Sequence, residues 1–356
     1  MERAGKLELK RARHLAGALA VVSVGISAVM AKEPTIVMEE FTVPAVDAGV
    51  GLYVRNKHPP GMQRFTADKI LLYVHGATYP SETVFDLELN GVSWMDYIAR
   101  HGYDVYLVDV RGFGRSTRPP EMDQPAEEHA PIVRTETAVK DVAAAVDFIL
   151  KRRGVSKINL IGWSWGTSIM GWYTTQHNDK VNRLVLYAPL WISTSPQLVD
   201  PSATLGAYRT VTRAAAKTRW LRGVPEDKQA DLIPAGWFDA WADATFATDP
   251  VGASQTPPVL RIPNGAVQDG REFWSAGTAQ YDPAGIHVPT LLVHAEWDAD
   301  LPSYMLYQYF ARLTNAPYKR YVQIGEGTHT IIMEKNRMQL FQAVQQFLDE
   351  RLTPDM

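Results

Sequence analysis

Five residues near the middle of the chain, Gly162-Trp163-Ser164-Trp165-Gly166, form the pattern G-x-S-x-G. A serine hydroxyl is a weak nucleophile near neutral pH, so catalysis through it requires a base within hydrogen-bond reach. The two glycines suit a tight strand-to-helix turn that exposes the serine, because bulky residues two places before or after it would collide. Lys157 to Gly162 reads as a strand and Thr167 to His177 as a helix, which gives the pentapeptide that context. Outside it, the same residues read as a glycine-rich turn whose serine caps a helix. Competing chemistries are scarce. The 356 residues include no cysteine, which removes thiolate nucleophiles, disulfides and thiolate metal sites together. The nine histidines show no H-E-x-x-H or comparable paired spacing, so neither a metal nor a cofactor is expected.

The elements that must hold this turn follow from periodicity. Thr35 to Pro44 and Gly49 to Asn56 alternate apolar and polar residues, as an antiparallel edge does. Ile70 to Val74 and Tyr103 to Val108 are unbroken apolar runs, as in strands buried on both faces, and they lead into His75-Gly76 and Asp109-Val110-Arg111-Gly112-Phe113-Gly114. Glu136 to Arg153 is an amphipathic helix stopped by Gly154. Arg183 to Tyr187, Thr290 to His294 and Arg320 to Ile324 read as further strands, and Glu334 to Leu352 as a final helix. Such alternation predicts an α/β fold with a mostly parallel central sheet and helices on both faces. Between Trp191 and Ile286 the rhythm lapses. Helical stretches around Thr204 to Trp220 and Gly236 to Ala247 are broken there by prolines. A structureless loop of that length is improbable, so 191–286 is expected to be a helical cap insertion at the carboxyl ends of the strands. It would divide the core into 32–190 and 287–356.

Composition narrows the setting. Hydrophobic residues are 46% and charged residues 21% of the chain, which is ordinary for a folded protein. A net charge of −3 supplies no field for a polyanion, so no nucleic-acid partner is expected. Lys6, Lys10, Arg11 and Arg13 precede an apolar run from Leu15 to Val29, and Ala31 is followed by Lys32-Glu33-Pro34. That run is short for a membrane span. Residues 1–31 are expected to be a cleaved signal peptide, leaving a secreted or periplasmic protein without a stable membrane span.

The serine turn, the His75-Gly76 turn and the Asp109-x-Arg111-Gly112-x-Gly114-x-Ser116 loop together resemble the α/β-hydrolase superfamily. The resemblance covers nearly all of the chain after the leader except the insertion. It implies an oxyanion hole from the backbone N–H of Trp165 and that of Ala77, with Thr78 as the alternative. It also implies the order serine, acid, histidine. His329, in Gly327-Thr328-His329-Thr330 after a late strand, then becomes the base. Glu296, Asp298 and Asp300 could each serve as acid, and Ala295-Glu296-Trp297-Asp298-Ala299-Asp300-Leu301-Pro302 resembles the family's G-x-x-D-x-x-x-P. That pattern selects Asp298, although Ala295 stands where glycine is usual, and it leaves Glu296 and Asp300 as solvated turn residues. In relatives the Asp109–Arg111 loop braces the site wall. Tryptophan is frequent, and Trp163, Trp191, Trp237 and Trp241 are expected to line an apolar pocket.

A serine nucleophile argues against the dehalogenase and epoxide hydrolase branches, which use aspartate there. The expected activity is a serine hydrolase acting on a small apolar or aromatic carboxylic ester. The alternative is an amidase or aminopeptidase like the proline iminopeptidases, whose H-G-G-P-G turn differs from His75-Gly76-Ala77-Thr78-Tyr79. A noncatalytic binding protein of the same fold is the third reading.

Overall fold

The computed structural model describes residues 35–194 and 204–351; the expected leader, Met1 to Ala31, lies outside the described residues. Alternating residues at the start build an antiparallel pair, β1 (Val37–Pro44) and β2 (Gly51–His58). The apolar runs build β3 (Ile70–Val74) and β4 (Asp104–Val108), buried at every position. Between them lies α1 (Trp94–Arg100), and after them α2 (Thr135–Arg153), β5 (Ile158–Trp163), α3 (Trp165–Gln176) and β6 (Val181–Tyr187). Helix α2 has Glu136 in its first turn and Lys151, Arg152 and Arg153 in its last, which complements its dipole. It stops at Gly154, whose φ of 65° is the left-handed conformation of a helix C-terminus.

The segment after β6 is not purely helical, which corrects the expectation for 191–286. Tyr208–Thr212 is a strand, β7, rather than the start of a helix, and it pairs antiparallel with β8 (Val259–Pro263). The β-branched Thr210, Val211 and Thr212 favour that conformation. Helix α4 (Arg213–Trp220) starts only where the Thr212 hydroxyl caps the Ala215 N–H at 3.1 Å, and α5 (Trp237–Ala247) follows.

The main sheet resumes with β9 (Thr290–Ala295), α6 (Ser303–Arg312), β10 (Lys319–Ile324) and α7 (Arg337–Asp349). Its order is β1-β2-β4-β3-β5-β6-β9-β10, and β2 alone runs against the rest. Helices cover both faces. Helices α1 and α7 meet where Trp94 stacks on Phe341 with centroids 5.2 Å apart, while α2 packs on α3. The carboxyl ends of β3, β5, β9 and β10 therefore share one edge, where ligands of such sheets bind. Among the described residues no helix is long and apolar enough to cross a membrane.

Candidate active site

Ser164 sits between β5 and α3 with φ 56° and ψ −120°. A non-glycine residue in that region is strained and persists only where its surroundings fix it. Packing around the turn does so. A Cβ on Gly166 would come within 2.7 Å of the Val74 and His75 carbonyl oxygens, and one on Gly162 would collide with the Gly166 carbonyl. Both glycines are therefore demanded by close backbone approach. The Ser164 N–H is held by the Tyr187 carbonyl at 2.9 Å.

His329 is carried by the loop after β10. Tyr187 Oη and Trp163 Nε1 donate to its carbonyl at 2.8 and 3.1 Å, which fixes the loop. Its Nδ1 lies 2.8 Å from Asp298 Oδ2, and the Asp298 side chain is fully buried. Asp298 Oδ1 accepts the N–H groups of Asp300 and Leu301 at 3.0 and 2.9 Å. A carboxylate there accepts a hydrogen bond from Nδ1–H, which keeps the proton on Nδ1 and leaves Nε2 as the free acceptor. His329 and Ser164 line one cavity, together with Trp163, Ala77 and Thr78.

A second cavity adjoins it at Ser164 and Ala77 and is bounded by Trp165, Leu190, Val267, Trp274, Arg219 and Arg222. Neither the Ala77 nor the Trp165 backbone N–H meets a backbone acceptor among the described residues. Donors left free in this way can serve an oxyanion. The Ala77 carbonyl accepts from Arg209 Nη2 at 2.8 Å, and Asp109 Oδ1 accepts the Ser81 N–H at 2.7 Å, so the loop after β3 is pinned from two sides. Burial pushes the Asp109 carboxyl up to about 7. Arg111 forms a buried pair with Asp141. His75 is buried too, which lowers its pKa to about 4 and keeps it neutral, and its Nε2 accepts the Val110 N–H at 3.1 Å.

A family model for the α/β-hydrolase fold matches residues 69–336. This chain belongs to the α/β-hydrolase family. The α/β hydrolase is also 29% identical over 132 residues to human lipase member K, a match covering 37% of this chain and 33% of that protein. The chain spans a third or less of the length of the curated relatives it matches. Its fold is shared by many solved structures, of which two illustrate the likeness. One is the 2-hydroxy-6-oxo-6-phenylhexa-2,4-dienoate hydrolase of Rhodococcus sp. strain RHA1, with a TM-score of 0.56 and 13% identity over 89% of this chain and 100% of that one. The other is a serine hydrolase involved in carbazole degradation, with a TM-score of 0.59 and 18% identity over 88% of this chain and 100% of that one.

Three of the four tryptophans expected in the pocket of this α/β hydrolase lie elsewhere. Trp191 is buried edge-on to Tyr309 and Tyr281, with centroids 5.1 and 5.8 Å away. Trp241 is wedged between Tyr79 and Trp220 at 4.7 and 5.1 Å, and Trp237 lies under the Arg337 guanidinium. Trp191 and Trp241 belong to the core, Trp237 packs half-buried against it, and none of the three lines either cavity at Ser164. Trp274 and Leu190 face the cavity in their stead. Asp300 departs from expectation as well. Its side chain is 6% exposed and pairs with Arg219 and Arg222, whereas Glu296 is exposed, as expected of a turn residue. Sequence reading missed both arginines. Their spacing of three, which puts them on neighbouring turns beside each other, was the available signal.

Proposed function

We propose that this α/β hydrolase is a serine hydrolase that cleaves a carboxylic ester through an acyl-enzyme on Ser164. One observation carries the reading: His329, with Nδ1 bonded to the buried Asp298, opens on the same cavity as Ser164. Ser164 Oγ attacks the ester carbonyl carbon while His329 Nε2 accepts its proton. Asp298 holds the imidazole in the required tautomer and stabilises the imidazolium. The developing oxyanion takes hydrogen bonds from the Trp165 N–H and the Ala77 or Thr78 N–H, on the order of 3 kcal/mol per donor. His329 returns the proton to the departing alcohol, and a water activated by the same Nε2 releases the acid.

Partial similarity to a human lipase favours an ester over an amide. Residues 191–286 act in this reading as a cap over Ser164, since Arg219, Arg222, Val267 and Trp274 all come from that segment. The basic and then apolar stretch from Lys6 to Ala31 favours export.

A fluorophosphonate probe tests the reading. Ser164 should label rapidly, and Ser164→Ala should lose both labelling and ester turnover, with kcat down on the order of 10⁶. Retention of most activity would overturn the assignment. Faster turnover of aminoacyl anilides than of p-nitrophenyl esters would make the protein an amidase, and absence of labelling would make it a binding protein.

A further inference from the structure

The wall opposite Ser164 carries more positive charge than its own partners neutralise. Arg219 and Arg222, at and just beyond the end of α4, both line the second cavity, whose remaining wall includes the apolar Leu190, Val267 and Trp274. Their shared counter-ion is Asp300. Arg219 Nε reaches Asp300 Oδ2 at 2.7 Å, and Arg222 Nη2 pairs with Oδ1. Arg219 Nη1 also donates to Thr78 Oγ1 at 2.9 Å, which holds that guanidinium against the loop after β3. Arg209 stands behind it, bonded to the Ala77 carbonyl at 2.8 Å and the Pro263 carbonyl at 3.0 Å, neither of which carries charge. Asp298 adds attraction from a distance, but it is already engaged by His329 and two backbone N–H groups.

Three guanidinium groups thus crowd one dedicated carboxylate. Burial and mutual repulsion act on them. Burial and then Arg219 lower Arg209 to about 9, and the same two causes lower Arg222. Arg222 spends Nη2 on Asp300, and among the described residues no protein acceptor meets its Nε or Nη1. Nε and Nη1 lie on opposite sides of the guanidinium, so a carboxylate is met by one of them together with the second N–H of Nη2, a fork that matches it bidentately. Its side chain is 41% exposed, so an incoming anion can reach it from the cavity mouth.

We propose that Arg222, backed by Arg219, selects esters that carry a second, free carboxylate, joined to the ester by a short apolar spacer that lies along Leu190, Val267 and Trp274. The proposal rests on the ester-hydrolase reading and names its substrate class. Bound there, the carboxylate relieves the excess positive charge, and the ester carbonyl is left facing Ser164 across the same cavity. A neutral ester of equal length loses that ion pair and keeps only the apolar contacts.

Two matched pairs of esters test it and also separate an acyl-side from an alcohol-side carboxylate. Mono-p-nitrophenyl glutarate is compared with p-nitrophenyl butyrate, and 4-carboxyphenyl butyrate with phenyl butyrate. In at least one pair the anion should be preferred by roughly tenfold or more in kcat/KM, mainly through KM. That preference should shrink with added salt, as a partly exposed ion pair does. Arg222→Gln should erase most of it, and Arg222→Lys should restore part. Arg222 sits at the mouth, and its loss leaves the Arg219–Asp300 pair in place, so the variant is expected to fold. Turnover of both neutral esters with no anionic preference overturns the proposal while the ester-hydrolase reading stands. An anionic preference that survives Arg222→Gln unchanged overturns it too. If no ester turns over and the fluorophosphonate does not label Ser164, the underlying reading fails and takes this one with it.

Discussion

At the scale of the residue, Asp298 and Asp300 show how two carboxylates two positions apart acquire different work. Asp298 points inward, with one oxygen on two backbone N–H groups and the other on His329. Asp298→Asn keeps the shape but removes the charge that stabilises an imidazolium, and its amide can offer His329 a donor where an acceptor is needed. We expect kcat on an activated ester to fall about 10⁴-fold with the circular dichroism spectrum unchanged. A loss of tenfold or less would sink the acid assignment. Asp300→Asn should cost far less on a neutral ester, because Asp300 touches arginines and no reacting group. Their places after late strands, read with the order and the G-x-x-D-x-x-x-P pattern of the family they resemble, brought Asp298 and His329 to notice. Neither signal could reveal that Asp300 is withdrawn from solvent, since Arg219 lies 81 positions earlier in the chain.

At the scale of the element, one buried side chain joins α4 to the loop that bears His329. Glu334 accepts the Thr328 N–H at 3.0 Å, the Thr328 hydroxyl, and Trp220 Nε1 at 2.8 Å. Burial raises its carboxyl from 4.5 to about 7, and burial likewise raises Asp109 from 3.8 to about 7. A native pKa above the unfolded one means that the folded state binds more protons between the two values. The stabilisation is therefore complete below about pH 4 and is lost as pH rises through about 7. Urea unfolding at pH 5, 6, 7 and 8 should show that decline, with a slope of at most about 1.4 kcal/mol per pH unit for each group. Glu334→Gln, although less stable throughout, should lose part of the slope. A flat profile in the unaltered protein would contradict this account. The strands and helices of the central sheet were legible because their burial pattern is written in continuous or periodic apolar residues. Strands β7 and β8 were not, because the half-buried Tyr208–Thr212 shows its pairing only against partners about fifty residues away.

At the scale of the whole molecule, the reading of an exported enzyme makes a simple demand. Protein recovered from the exported fraction of its native host should begin at Lys32, and intact-mass measurement checks it. A mass that includes Met1 to Ala31 would indicate a retained anchor. The fold around the site was legible as a plan of strands and turns, while the identity of the wall was not, since Trp191 and Trp241 are apolar in either role and only packing tells core from lining. The strained turn at Ser164 has one more consequence. Its geometry depends on Gly166 lying against the Val74 and His75 carbonyls, some ninety residues distant in sequence. Contacts of such long range cost loop-closure entropy before they give any stabilisation, so a chain that has not folded does not hold them. The bare pentapeptide in an unfolded chain therefore has no means of holding Ser164 in that conformation. A chain threaded unfolded through a membrane would be chemically silent in transit, and the first turnover would mark the arrival of the native state.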